Sequence, residues 1–423
     1  MQSLFKKSVF MLLTLLTLML AQVTPVSAYG APVCASATIT VTNNNDSGAG
    51  SLRQALVDVC PGETINFSEA LAGQIITLIS PLVIDRNVTI NGQLAAEVVD
   101  IEGNAVVRVM TVNNGVTAFL DNLYIYDGSS ANGGIIRNDG TLTVTNISVV
   151  SGSSSNNGGG IYNAGTLTVT NSTFSGNTAV DNGGGIHNSG TLTVTNSTFS
   201  GNTASYGGGL FNSTGNLTVR NSTFKDNGAT ATNGGSSVYT DPLSAVTLYN
   251  TLLVRLAPGN CYGTINANSD SLATDSSCGG AVVRTAAEIN LGALTGTPAY
   301  FPLLSPSAAI DNGSDATCAA SPVLNTSQNG VVRPIDGDNI YGAHCDIGSY
   351  EAPAASFTVT FNGNNSTGGS TAAQSANSAT ALTSNGFTRT GHTFAGWNTA
   401  ANGSGTSYAN GATYPFDADV ILY

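Results

Sequence analysis

Charge is scarce in this sequence. Only 9% of its 423 residues are Asp, Glu, Lys or Arg, and 25 acids outnumber 12 basic residues. The net charge of −13 argues against nucleic acid as a partner, because neutralising phosphates takes a basic face. It argues equally against docking on an anionic membrane. Lys, Glu and Leu are too sparse for long helices, whereas Gly, Asn, Ser, Thr and Val favour strands joined by tight turns. A disordered chain is disfavoured by 41% hydrophobic residues at regular spacing. Long apolar runs are also missing, with one exception at the start.

That exception reads as a secretory signal peptide over residues 1–28. Lys6 and Lys7 precede an apolar run from Val9 to Ala21, and Val26-Ser27-Ala28 offers small residues for cleavage. The run is shorter than the roughly 20 residues a spanning helix needs, so the mature chain is expected to hold no membrane-spanning segment. Cleavage removes two Lys and no acid, which moves the charge from −13 to −15. Six Cys in an exported chain suggest disulfides. Several pairings are open, but the residues fall into local couples: Cys34 with Cys60, Cys261 with Cys278, and Cys318 with Cys345. None has the short spacing of a zinc site.

The chain repeats itself. Gly158–Asn177, Gly183–Asn202 and Gly207–Asn227 align, with a degraded copy at Gly133–Ser151, and Asn146, Asn171, Asn196 and Asn221 are spaced by 25. Looser copies lie around Ala118–Asn122 and Val246–Asn250. In Thr166-Leu-Thr-Val-Thr170 the apolar residues alternate with Thr, the mark of a half-buried strand. Ile161 and Phe174 would point inward from two further short strands, and the Gly triplet supplies corners. One such unit cannot bury its apolar face, but coils stacked about 4.8 Å apart can. Asn138, Asn163, Asn188 and Asn212 form one expected row and Asn146, Asn171, Asn196 and Asn221 another, with amides bonding along the axis. The fold class expected is all-β: a right-handed parallel β-helix of the pectin-lyase-like solenoid type, followed by a small module.

The Gly-Gly-Gly-Ile units with Phe174-x-x-Asn177, Phe199-x-x-Asn202 and Phe224-x-x-Asn227 resemble the polymorphic outer membrane protein repeats of chlamydial adhesins, over roughly 130–230. Ser51-Leu-Arg-Gln-Ala55 is similar to the CSLREA-type start of bacterial β-helix surface proteins, with Gln54 in place of Glu and Gly50 in place of Cys. It reads as a capping box opening a short helix that lids the first coil. Leu304–Gly313, Arg333-Pro334 and Cys345–Glu351 are similar to the choice-of-anchor Q region, which implies bridges Cys261–Cys278 and Cys318–Cys345. Phe357–Phe361, Phe387–Asn398 and Tyr414–Phe416 resemble one Listeria–Bacteroides repeat, a β-grasp-like module of internalin B-repeats, whose core would take Trp397. That family's last strand usually runs a few residues further than Tyr423, so a truncated product with its anchor beyond is expected. The division expected is signal peptide 1–28, N-terminal cap and first coils 29–110, repeat helix 111–280, anchor-Q-like region 281–352, linker 353–356 and terminal module 357–423.

Parallel β-helices also serve pectate lyases and polygalacturonases. Across residues 131–240 the charged residues are only Arg137, Asp139, Asp181, Arg220, Lys225 and Asp226, with Asp241 just beyond, and their positions differ between coils. No Gly-His-Gly or Arg-x-Lys signature occurs. No catalytic residue, cofactor or metal is therefore assigned, and a non-enzymatic adhesin-like or structural stalk at the cell surface is preferred over a polysaccharide lyase or hydrolase. Expected partners are extracellular glycans or a host or neighbouring cell surface. Asp336, Asp338, Asp346 and Glu351 lack the spacing of a calcium loop and read as a solvated acidic loop. Arg137, Tyr162, His187 and Phe211 would stack along one outer face as a glycan platform or, the preferred reading, as tolerated solvent-facing residues. Thr141, Thr143 and Thr145 with their counterparts at 166–170 and 191–195 resemble the flat array of ice-binding solenoids, broken by Asn216 and Arg220.

Overall fold

A computed structural model describes residues 38–423 apart from 243, 245, 256–258, 268, 269 and 341. The expected signal peptide and Cys34 lie outside the described residues. From Thr38 the chain winds into a parallel β-helix with three long sheets and a shorter fourth. A ten-stranded Thr sheet contains the Thr-Leu-Thr-Val-Thr segments. A ten-stranded Phe sheet contains the Thr-Phe-Ser segments, and an eight-stranded Asn sheet contains Ile161–Asn163 and its counterparts. The fourth sheet pairs five short strands between the Phe and Asn sheets.

Register follows the repeat. Leu142, Leu167, Leu192 and Leu217 are paired in line, as are Val144, Val169, Val194 and Val219. All are buried, with Ile136, Ile161, Ile186 and Leu210 closing the core from the Asn sheet. Phe174, Phe199 and Phe224 stack face to face, with centroids 4.8 and 4.7 Å apart. Coil pitch sets that distance, so identical rings at one register must stack.

The two Asn rows differ. Asn138, Asn163, Asn188 and Asn212 are fully buried, and each Nδ2 donates to the next Oδ1 at 2.7 Å. Asn146, Asn171, Asn196 and Asn221 instead hold the left-handed turn from the Thr sheet to the Phe sheet, with φ between 45° and 53°. Their amides do not join one another, and Oδ1 of Asn171, Asn196 and Asn221 is buried without a donor. Only the first row is the expected amide ladder, because the second spends its Asn on backbone geometry. A further ladder, Asn177 to Asn202 to Asn227, runs at 2.9 and 2.8 Å.

At the N-terminal end the helix Leu52–Asp58 buries Leu52, Ala55 and Leu56 over the first coil. Ser51 accepts from the Gln54 N–H, but the capping box stays half-formed, since the Gln54 amide reaches forward to Asp58 at 2.8 Å. At the other end the chain leaves its last strand at Val282–Val283 and turns back. Residues 286–351 lie as a strap along the outside of the Phe sheet. Ser349 N donates to Thr223 Oγ1 at 3.0 Å, Gln328 accepts from Thr198 Oγ1 at 2.7 Å, and Thr173 Oγ1 donates to the Ala299 carbonyl at 2.5 Å. Leu252, Val254 and Leu272 pack outward against Ile289, Leu303, Ile310 and Ile347. Disulfides Cys261–Cys278 and Cys318–Cys345 are formed.

Residues 357–423 form a separate small module of strands and turns. Phe357–Phe361 is its central strand, between Gln374–Ala376 and Val420–Leu422, and Val359, Phe361, Leu382, Trp397, Tyr414, Phe416 and Leu422 make its core.

Candidate functional site

The expected outer stripe exists and is longer than the repeat implies. Arg137 sits 5.4 Å from the Tyr162 ring, and Tyr162, His187, Phe211, Tyr239 and Tyr262 follow in one pile. Centroids are 4.8–5.2 Å apart and ring planes lie within 18° of parallel. Each interior ring therefore spends both faces on its neighbours and turns only an edge outward. A sugar packs on an open aromatic face, and the interior rings of this pile offer none. His187 and Phe211 are only 7% and 6% exposed. Burial pushes the His187 imidazole down to about 4, so it is neutral at pH 7. Tyr239 and Tyr262 escaped the sequence reading because their coils depart from the 25-residue spacing.

The Thr array also extends further. By register one row runs Thr38, Thr64, Thr89, Phe119, Thr143, Thr168, Thr193, Thr218 and Thr247. At its flank Thr195 is fully buried, so the array is narrowed beside the strap.

The acids singled out near the C-terminus divide into two groups. Asp346 and Glu351 are fully buried, not solvated, because they flank the buried Arg333. Arg333 Nε lies 3.5 Å from Glu351 Oε2, and its NH2 donates to the Gly348 carbonyl at 2.9 Å. Burial raises Asp346 to about 8, with the Glu351 charge adding to the effect. This ion cluster fastens the strap. Asp336 and Asp338 instead gather with Asp311, ligand atoms within 4.8 Å of one another. The Asp311 carboxylate accepts the Gly337, Asp338 and His344 N–H groups, so the trio reads as a bonded turn.

A concave polar site lies where no sequence signal was sought. Just past the strap's tip, Gln93, Glu97, Asp100, Asn122, Tyr124 and Asn146 line a cavity of about 490 Å³ with Thr297 and Pro298. Two neighbouring strands build its floor. In Val99–Glu102 and Leu123–Tyr126 the apolar residues point inward, leaving Asp100 and Glu102 outward beside Tyr124 and Tyr126. Burial, and then the Glu97 charge, raises the Asp100 carboxyl above the ordinary range. Burial likewise raises Asp121, against the Asn146 amide that donates to it at 3.1 Å. Both Tyr hydroxyls are raised, first by burial and then by neighbouring carboxylates. Glu102 accepts from Thr77 Oγ1 at 2.7 Å, which orients it. The cleft thus offers the Glu97 and Asp100 carboxyls, the Gln93, Asn122 and Asn146 amides and the Tyr124 phenol to a hydroxyl-rich ligand, with Glu102 and Tyr126 beyond its lining. Its acids precede residue 131 and lie N-terminal to the aligned repeats. The signal was there: acids and Tyr alternate with core residues at a 24-residue offset.

Comparison with known proteins agrees with this architecture. Residues 86–277 match the family model for a right handed beta helix region, and residues 357–423 match the Listeria-Bacteroides repeat domain. The chain joins a right-handed β-helix region to a Listeria–Bacteroides repeat. Neither matched model is of the polymorphic-membrane-protein, CSLREA or choice-of-anchor Q type, so those resemblances stay expectations. A solved pectate lyase, Pel9A, is similar over 74% of this chain and 96% of its own, at 13% identity and a TM-score of 0.34. That likeness carries no argument about activity. No curated protein matches the chain. Among the described residues no helix is long and apolar enough to cross a membrane.

Proposed function

We propose that this β-helix protein is an exported, non-enzymatic, adhesin-like rod at the cell surface, and that it holds an extracellular glycan in the Asp100–Tyr124 cleft. The observation that carries the reading is how the rod's sides are used. The strap covers much of the Phe sheet and the Asn sheet is closed by its own stacked rings, whereas the cleft brings unlike polar groups together in an open concavity. Export is supported by the basic-apolar-small pattern of residues 1–28 and by two disulfides, which persist in oxidising surroundings. The test is a glycan array probed with the mature protein and with Tyr124→Ala/Asp100→Asn. Binding that the double variant loses supports the assignment; binding that it retains places the ligand elsewhere.

A second reading has its own observation. Asp100 and Glu102 leave one face of one strand, their Cα atoms about 6.6 Å apart by the strand rise of about 3.3 Å per residue. Inverting glycoside hydrolases use two carboxyls on one cleft as acid and base, and a raised carboxyl suits the acid. Release of reducing ends from a polysaccharide panel, abolished by Asp100→Asn, would replace the adhesin assignment with this one.

A further inference from the structure

We infer that the C-terminal Listeria–Bacteroides repeat carries a second binding site, independent of the cleft, for a sugar residue bearing a carboxylate. The module encloses a cavity of about 410 Å³, within the usual range for a small ligand. One wall is aromatic: Phe387, Phe394 and Trp397. Phe394 stands edge-on to Trp397 at 4.8 Å and is 40% exposed, which leaves it open contact area that the interior rings of the stacked stripe lack. The side chains in the lining that can carry positive charge are Arg389 and His392, both donors when charged; Tyr423 adds a phenol, and no Asp or Glu side chain lines it. Among the described residues Arg389 is in no ion pair. Arg389 is exposed, so its guanidinium is hydrated and open to a ligand at the cavity mouth. The Trp397 Nε1–H, on a side chain 1% exposed, is buried with no acceptor, so a second donor beside the cavity is unmet.

These features select one chemistry. An apolar ring face takes the C–H side of a pyranose, and a planar guanidinium pairs with a carboxylate through two parallel hydrogen bonds. The volume suits one or two sugar rings better than an extended acidic peptide. The acidic remainder of the chain repels polyanions, but at about 0.15 M salt that repulsion is screened beyond roughly 8 Å, which leaves the local cation to decide.

Trp397 is the sole Trp among 14 Tyr, so emission excited beyond the tyrosine absorption band reports on this cavity. The whole mature protein is titrated with digalacturonate, with its methyl ester and with hexaglutamate. Digalacturonate should give a saturable change, Arg389→Ala should weaken it by about tenfold or more, and Arg389→Lys should recover part. An unchanged emission maximum in the unliganded variants shows that the module still folds. No response to digalacturonate, an equal response to the methyl ester, or a stronger response to hexaglutamate would overturn the assignment. Because Asp100→Asn leaves this signal untouched, failure here and failure at the cleft are read separately.

Discussion

The buried amide ladder allows a stability prediction that separates two residues of one type within adjacent coils. Asn188 accepts from Asn163 Nδ2 and donates to Asn212 Oδ1, both at 2.7 Å, and donates again to the Gly190 carbonyl at 3.1 Å. Asn188→Ala removes all three bonds. Asn163 keeps carbonyl acceptors at Gly165 and Thr191, but Asn212 Oδ1 is left buried without its donor. The orphaned Asn212 acceptor costs about 1–3 kcal/mol and the bonds to Asn163 and Gly190 about 1 kcal/mol each net, so a loss of about 3–5 kcal/mol is expected. Asn171 stands in the other row at φ 48°, with its Oδ1 already lacking a donor. Asn171→Gly keeps the left-handed turn and should cost under about 1 kcal/mol. In urea, with a slope of about 3 kcal/mol/M, the two differ by roughly 1 M in midpoint. Hydrogen exchange at Leu192 and Val194 provides a second readout should the coils unfold in steps. Equal losses from both variants would refute the distinction drawn between the rows.

Further expectations follow from the same geometry. Phe199→Ala opens a hole between two stacked rings and should cost about 3–5 kcal/mol, against well under that for Phe199→Leu, by chemical denaturation. His187 is depressed to about 4 when folded, so the unfolded chain binds the extra proton first as pH falls. Stability should therefore drop between about pH 6.5 and pH 4 by roughly 3 kcal/mol and then level, and His187→Phe should remove that share of the pH dependence. Arg333→Met leaves Asp346 and Glu351 buried without their cation and should cost about 3–5 kcal/mol, read by thermal denaturation; a neutral result would mean that the carboxyls are already uncharged. Cys318→Ser/Cys345→Ser should free the strap first, so limited proteolysis is expected to cut between residues 286 and 351 before it touches the coils.

Much of the rod was legible because its physics is periodic. Alternation in Thr-Leu-Thr-Val-Thr named the inward residues, and the 25-residue offset named their neighbours. What was not legible was each face's outer surroundings. Thr168 and Thr198 look alike in sequence, yet one is half-exposed and the other lies under Gln328 and Ser349. The difference is made by a strap about 130 to 150 residues later in the chain, and a local pattern cannot report it. One hint was available: Thr251-Leu-Leu-Val254 abandons alternation, as a strand covered on both sides does. The stripe beginning at Arg137 was legible in register, but not in depth: coil pitch makes rings at one register stack, and stacking buries His187 and Phe211 between their neighbours.

The same reasoning indicates where function belongs on such a molecule. A repeated coil places the same side chain at the same position, so its outward residues meet copies of themselves and settle into ladders or stacks. These satisfy donors, acceptors and ring faces internally, and a fully satisfied surface has little left for a ligand. A site needs unlike groups brought together, which requires coils that break the repeat. Residues 93–127 do so: acids pair across the coils with Tyr rings, Asp100 with Tyr124 and Glu102 with Tyr126, beside the tip of the strap. The terminal module does so as well, with Arg389 near aromatic side chains and no acid side chain lining their shared cavity. On the proposed reading the regular coils supply rigidity, and recognition falls to the irregular ones.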